Sequence, residues 1–576
     1  MINKIITSCF LVSASLVARG QVDYAKQYQN AKDFFRQGQY NLAMESFKPL
    51  VAYDQKNQYS PYASFYYALA AYKQGYQAVA RDMLLQIKSV HAQWDKMEEV
   101  NLWLGTLYLE DQDYFQGIKT LNAIRDNKLS ESIAAVKAQY LSEVADAETL
   151  RMMLEEFPKD EVVARYLAKT LARDLSDEED KQTLENLIDR FKFDRADFIP
   201  EAPKTFYKDR YAVSVLLPFM LEELDASPGK KRNWIVLDFY EGIKLALDSL
   251  NSQAAARISL RAYDTDKGLD YLKQILETEE LKNSDLVIGP LFANENNIVQ
   301  QFSQNNQVNV VVNPFSNNID LIGENPYAYL FQPSAETIGR EAAGYIAEQA
   351  DRKKLTMVFY GPDKKDSVQA ASFVEQAQSL GLQIVASEMI AREGAGEIMN
   401  ILATPTEYDE FKFPSEFTLK KDSIGSIYVA TDEPLIYTKV ISSVETRGDS
   451  ILVVGSENWV DDTAVAFEKY QTLGVVFTAP NFVDINSAER RVFISKYVRK
   501  YGKLPSSLSQ LGYEMMLFFG NQLRKNGVYF QDGLNNTEFV PGHLFQGFKY
   551  AYSRDNKLVP FARFKNGVLT LIKDGK

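Results

Sequence analysis

The sequence predicts an α + α/β chain, in which an α-helical repeat domain precedes a two-lobed domain of parallel, doubly wound sheets. Three observations predict it. Residues 24–150 hold few β-branched runs and recur with a period of 37. From residue 211 onward short apolar strands alternate with amphipathic helices, the pattern of a parallel sheet covered on both faces. That series occurs twice, more than one doubly wound core uses, so the second part divides into two lobes. The 576 residues, 46% apolar with 34 Phe and 33 Tyr, are enough for several cores.

Residues 1–20 read as an export signal. Lys4 precedes a mostly apolar stretch over 5–17, and Ala18 and Gly20 provide the small residues of a cleavage site, so the exported chain starts near Gln21. That stretch is shorter than the ~20 residues a spanning helix needs. Cys9, the only cysteine, follows Ile6-Thr7-Ser8 in a loose match to an acylation site, but the apolar run lies after it instead of before it. Cleavage at Gly20 removes that thiol, so stability is expected from packing and not from disulfides. The formal charge of −13 becomes −15 when the signal takes Lys4 and Arg19 with it. No basic stripe of the kind phosphate backbones require is present, and no nucleic-acid partner is expected.

Residues 21–195 form the expected repeat domain. Ala31, Ala68 and Gly105 are 37 apart, as are Phe34, Ala71 and Tyr108, and Phe35, Tyr72 and Leu109. Gly38 and Gly75 share the spacing, with Gln112 next. After each, an aromatic is read as opening a second helix: Tyr40, Tyr76 and Tyr114. Three residues on stand Ala43, Val79 and Gly117, small enough for helices to approach, and seven on stand Phe47, Met83 and Leu121 to fill the groove. These columns resemble tetratricopeptide-type repeats, which implies a concave partner-binding face bearing Tyr40, Tyr76 and Tyr114. Helices over 132–145 and 161–175 continue the stack, and a charged helix from 176 is read as capped by Ser176. Residues 196–210, with Pro200 and Pro203, read as a linker.

Residues 211–576 form the expected two-lobed domain. Strands are read at 211–217, 257–263, 286–288 and 308–312, with a helix at 239–250, then at 355–360, 383–386, 426–430 and 451–454. Sheets of this kind bind ligands outside the carboxyl ends of their strands. The following loops are therefore the candidate site, and Gly289, Gly361 and Gly455 mark their turns.

The phrases LLPF at 216–219, YEGIKLALDSLN at 240–251, AYDTD at 262–266, DLVIGPLFANEN at 285–296, VVNPFSNN at 311–318, FQPSAETIGREAA at 331–343 and LGYEMM at 511–516 resemble type I periplasmic binding proteins, the leucine-binding and receptor-ligand superfamily. Joined to the helical repeats, the whole is similar to LpoA-type outer-membrane lipoproteins, activators of a peptidoglycan-synthesising penicillin-binding protein. The chain departs from that group in lacking its lipid-attachment signal. The resemblance implies a ligand site on Phe292, Ala293, Phe315, Ser316 and Asn317 of the first lobe. Only Ser316 among these offers a hydroxyl, so a carboxylate clamp looks depleted.

On the facing lobe, Asp432 and Glu457 follow strands and could pair with an amine, while Tyr360 and Trp459 could stack on a ligand. The competing reading of these residues is helix caps and lobe contacts. Asp264-Thr265 reads as a structural cap, and the two histidines, His91 and His543, as structural. No phosphate loop, GxSxG or HExxH motif occurs, so neither catalysis nor a metal or cofactor is expected. The expected function is a non-enzymatic, periplasmic cell-envelope protein, associated with the outer membrane. Its partner is a peptidoglycan synthase or an outer-membrane complex, and its cleft takes a ligand of amino-acid or muropeptide type. The alternative is a solute-binding subunit delivering amino-acid-like ligands to an ABC importer.

Overall fold

The computed structural model describes residues 23–572, apart from 53, 55, 145–146, 174, 176, 200–202, 222–232, 254–255, 350–354 and 463. The export signal with Cys9, the Ser176 cap and Pro200 lie outside the described residues. Two compact units divide between Thr170 and Leu171.

The first unit repeats a helical hairpin three times. Tyr24–Arg36 pairs with Tyr40–Val51, Ser60–Lys73 with Gln77–Val90, and Met97–Glu110 with Tyr114–Asn122. In each turn one residue takes a positive φ: Gly38 at 75°, Gly75 at 81° and Gln112 at 62°. The next two amides close the helix end on carbonyls behind them, as in Gly38 N–H to Phe35 O and Gln39 N–H to Phe34 O. The second helices start at 40, 77 and 114, so the period is strict.

That corrects the second repeat. Tyr76 is the residue before its helix, not the first of it, and is 51% exposed. The inward column is Ala43, Ala80 and Gly117, followed by Phe47, Leu84 and Leu121, all buried. Val79, read as the small contact residue, instead shares the exposed column of Leu42. A Cβ on Gly105 would meet Leu121 Cγ at 2.5 Å, and one on Gly117 would meet Leu109 Cδ2 at 2.6 Å, so the glycines set the approach of the third pair. Behind the repeats, Lys137 Nζ lies 2.5 Å from Asp160 Oδ2, both buried, with Asn122 hydrogen-bonded to each.

In the second unit, helix Glu178–Phe191 is capped by Asp177, whose carboxylate accepts from the Glu179 and Asp180 amides. The first lobe's sheet contains β1 (Arg210–Leu217), β2 (Arg257–Asp264), β3 (Leu286–Ile288), β4 (Asn309–Val312) and β5 (Ala328–Leu330), all parallel in the order β2-β1-β3-β4-β5. The second lobe begins with β6 (Leu355–Tyr360) and β7 (Gln383–Met389). A two-stranded excursion, β8 (Pro405–Tyr408) and β9 (Pro414–Phe417), precedes β10 (Ile424–Ala430), β11 (Leu452–Ser456) and β12 (Val476–Thr478). Its parallel core runs β7-β6-β10-β11-β12, the same winding as the first lobe. After a small ribbon of β13 (Val540–Pro541) and β14 (Gly547–Phe548), the antiparallel strands β15 (Phe561–Lys565) and β16 (Val568–Leu571) extend the second sheet beyond β12.

This is the two-lobed, parallel, doubly wound architecture expected from the sequence. The lobes repeat internal detail: Ser214 Oγ meets Ser284 Oγ at 2.8 Å in the first, and Thr356 Oγ1 meets Ser426 Oγ at 2.9 Å in the second. Three glycines of the quoted phrases, Gly242, Gly339 and Gly512, are contact points between helices. A Cβ on Gly242 of helix Trp234–Gln253 would lie 2.0 Å from Ser509 O, and one on Gly512 of helix Ser507–Asn526 would lie 2.1 Å from Phe239 O. In the second lobe, a Cβ on Gly339 of helix Ala335–Gln349 would lie 2.3 Å from Gln369 O. Late in the chain, helices Ala488–Tyr501 and Ser507–Asn526 return to the first lobe, where Phe493, Tyr513 and Met516 join Val213 and Leu286 in one core.

Arg447 holds the β8–β9 excursion in place. Fully buried, it bonds Asp449 at 3.0 and 2.7 Å and the carbonyls of Leu402, Leu419 and Lys420, with Phe417 under its guanidinium. Burial alone would raise the Asp449 carboxyl, but bonds from Arg447 and the Asp422 amide hold it below the usual range.

Candidate functional site

In both sheets the strand order reverses at one point, between β1 and β3 in the first lobe and between β6 and β10 in the second. At such a point the flanking loops diverge and leave a crevice at the carboxyl ends of the strands. In the second lobe that crevice opens into a cleft of about 540 Å³. Lys365, Asp366 and Gln369 enter it from the helix after β6, Thr431 and Asp432 from the loop after β10, and Glu457 and Asn458 from that after β11. Across from them stand Phe315 and Asn317 of the first lobe, after β4.

Glycine is required where the chain leaves β6. A Cβ on Gly361 would lie 2.5 Å from Asp366 Oδ2 and 2.9 Å from Thr431 Oγ1, so a side chain there would push the two loops apart. Gly455 works differently: its Cβ would overlap the Trp459 ring at 1.9 Å, and its absence lets the indole fold beneath the loop.

The electrostatics of the cleft are acidic. Among the described residues, Asp366, Asp432, Glu457 and Asp461 line it against one cation, Lys365. Asp432 Oδ2 accepts from Lys365 Nζ at 3.2 Å and Asn458 Nδ2 at 3.0 Å. Burial works to raise the Asp432 carboxyl, but the Lys365 charge and bonds from Ser456, Asn458 and Lys365 outweigh it, so the group stays ionised. Glu457 goes the other way: burial pushes it up to about 7, against a bond from the Asn481 amide at 2.9 Å. Asp366 is likewise raised, first by burial.

Glu457 also connects the cleft to the crossings between lobes. Asn481 lies on one crossing, and its side chain accepts from Gln332 Nε2, on another, at 3.0 Å. The third is fixed by Asp555, whose carboxylate takes the Ser334 amide and hydroxyl, the Thr337 hydroxyl and the Lys557 ammonium.

Of the residues read from the sequence, the structure brings Phe315, Asn317, Asp432 and Glu457 to this cleft. The others lie elsewhere. Phe292 precedes helix Ala293–Asn306 and is half exposed, and Ala293 is that helix's first residue. Ser316 Oγ accepts from its neighbour Asn318. Tyr360 ends β6 half-buried against the core that includes Ala370 and Phe373. Trp459 is 1% exposed, stacked 4.5 Å from Tyr437 with its Nε1–H on Thr431 O, so it has no free face for a ligand. Asp264 is a cap as read, since its carboxylate gathers the amides of Phe219, Met220 and Leu221. In the first unit, Tyr40 and Tyr114 are half-buried and Tyr76 is exposed. Lys365, Asp366 and Gln369 went unread in the sequence; their signal was a first helical turn directly after the strand at the switch point.

No family model matches the chain, and no curated protein matches it. Among solved structures it is similar to full-length LpoA from Haemophilus influenzae, at 11% identity over 96% of this chain and 94% of that one, with a TM-score of 0.42. It is also similar to an ABC transporter substrate-binding protein from Desulfitobacterium hafniense in complex with Leu, at 18% identity over 63% of this chain and 100% of that one, with a TM-score of 0.42. The leucine-binding protein LivK from Thermotoga maritima is 16% identical over 63% of this chain and 98% of that one, with a TM-score of 0.39.

Proposed function

We propose that this chain is a non-enzymatic protein of the cell envelope. Its two-lobed unit takes a small amine-bearing molecule, of amino-acid or muropeptide type, between the lobes, and its helical repeats bind a protein partner. The observation that carries the ligand reading is the acidic lining of the cleft, where the described residues set four carboxylates, Asp432 among them held ionised, against one lysine. An ammonium group bound there gains charge-assisted bonds. A ligand touching both walls favours the closed arrangement, which shifts the population about the three crossings.

The partner reading is supported by the repeats. Leu42 and Val79 occupy one 37-residue column and are both exposed, with Phe115 one position before the third. Exposed apolar residues recurring on successive second helices suit a protein surface more than water. A peptidoglycan synthase or an outer-membrane complex is the partner we infer from the envelope setting, and the chain would regulate it.

The same cleft would also serve a solute-binding subunit of an ABC importer, but such a carrier has no use for the exposed column. Photo-crosslinking in intact cells, from a reactive residue replacing Val79 in the full chain, tests the choice. The proposal expects a discrete adduct with an envelope protein that weakens when Leu42 is changed to Glu. No adduct from Val79 would refute the partner role.

A further inference from the structure

The α/β unit holds a second cavity, of about 380 Å³, away from the interlobe cleft. The end of helix Trp234–Gln253, helices Ala488–Tyr501 and Ser507–Asn526, and the β13–β14 ribbon enclose it. One wall is apolar, formed by Leu250, Val492, Leu517, Phe518 and Phe548. The other carries Lys496, Arg524 and His543.

Among the described residues, Lys496 and Arg524 have no acidic partner. Lys496 Nζ rests 3.4 Å from Ser249 Oγ, and Arg524 donates only to neutral oxygens, Leu250 O at 3.0 Å and Asn251 Oδ1 at 3.3 Å. The Arg524 Nε–H is buried with no acceptor, a costly state for a charged donor. Among the described residues Glu514 is the one carboxylate lining the cavity, and it is committed elsewhere: its oxygens accept the His543 amide at 2.6 Å and the Leu544 amide at 2.7 Å.

We propose that this cavity binds a small organic anion, whose carboxylate or phosphate group lies between Lys496 and Arg524 and whose apolar body rests on Leu517 and Phe518. A guanidinium bonded only to neutral oxygens and an exposed ammonium are suited to either oxyanion, and the apolar wall selects against bare inorganic ions. The two cavities of the unit then take ligands of opposite charge.

His543 reports on the site directly. It stands 5.7 Å from the Tyr513 ring, and the chain has only one other histidine, His91. Burial, then Lys496, depress the imidazole, while Glu489 on the same helix as Lys496 opposes them. From helix Ser507–Asn526, Tyr513, Glu514 and Arg524 also line the cavity. A bound anion offsets Lys496 and returns the imidazole toward its ordinary range.

The test is histidine-selective NMR of the full chain with phenyl phosphate and benzoate as probes at millimolar concentration. The expected result is a saturable shift of the His543 resonance with a rise in its titration midpoint, while His91 stays fixed. Arg524→Gln and Lys496→Gln should each weaken the response about tenfold. Response to phenyl phosphate alone identifies a phosphate ligand, and to benzoate alone a carboxylate. Failure of both probes to move His543, or a response undiminished in the two variants, overturns the proposal. Should Arg524→Gln not fold, the exposed Lys496→Gln carries the comparison.

Discussion

Mild acid should stabilise the α/β unit, contrary to the usual behaviour of an acidic protein. Glu514 is 1% exposed and Glu295 4%, and burial raises both from 4.5 to about 7. The sign follows from the direction: a carboxyl raised in the folded state binds its proton more tightly there than in the unfolded chain. Its contribution is therefore complete below about 4.5 and is lost as pH rises through 7. Each shift corresponds to about 3 kcal/mol at most, and to about half that once the site relaxes and water enters. Urea unfolding followed by circular dichroism at pH 7.5, 6.5 and 5.5 measures the slope. Glu514→Gln isolates one group, since its amide oxygen can still accept one of the two loop amides but it has no proton to take up. Stability of the parent chain relative to this variant should rise by about 1 kcal/mol per pH unit as pH falls from 7 to 5. Parallel stability profiles for the two proteins would refute the reasoning. The depressed His91 and His543 work in the opposite sense below pH 6.5, and the paired comparison cancels them.

Two substitutions test the packing account. Gln112→Gly should stabilise the first unit by about 0.5–1 kcal/mol, read as a higher melting temperature, because the residue sits at φ 62° where the first two repeats use glycine. Gly512→Ala should cost about 3 kcal/mol, since its methyl group would lie 2.1 Å from a backbone oxygen that can move only with its helix; chemical denaturation measures the loss.

Much of the architecture was legible because it repeats. The 37-residue period located the helical hairpins, but matching on aromatics misplaced the second by one residue, since Gln77 replaces the tyrosine that opens the other two second helices. Most buried parallel strands were found, even the three-residue β3 before Gly289-Pro290, while the equally short β5 and β12 were not read. Strands β15 and β16 had a signal that went unused: Asn566-Gly567, both at positive φ, forms the hairpin turn between them. At the site, strand-end acids such as Asp432 and Glu457 could be read because loops after parallel strands face the crevice. Trp459 misled because what decides its role is Gly455, whose missing side chain admits the ring to the core. Lys365 and Asp366 depended on which strand neighbours β10 in space, which sequence order alone does not show.

The most direct test of the ligand reading is the melting temperature of the full chain with a panel of amino acids and muropeptides, each beside its N-acetylated counterpart. At a hundredfold excess over the dissociation constant, a true ligand adds about 2.7 kcal/mol, or several degrees. The account predicts that an amine-bearing member raises the melting temperature, that acetylation removes the effect, and that Asp432→Asn abolishes it. A panel in which no free amine stabilises the chain, or in which acetylated forms do so equally, would contradict it.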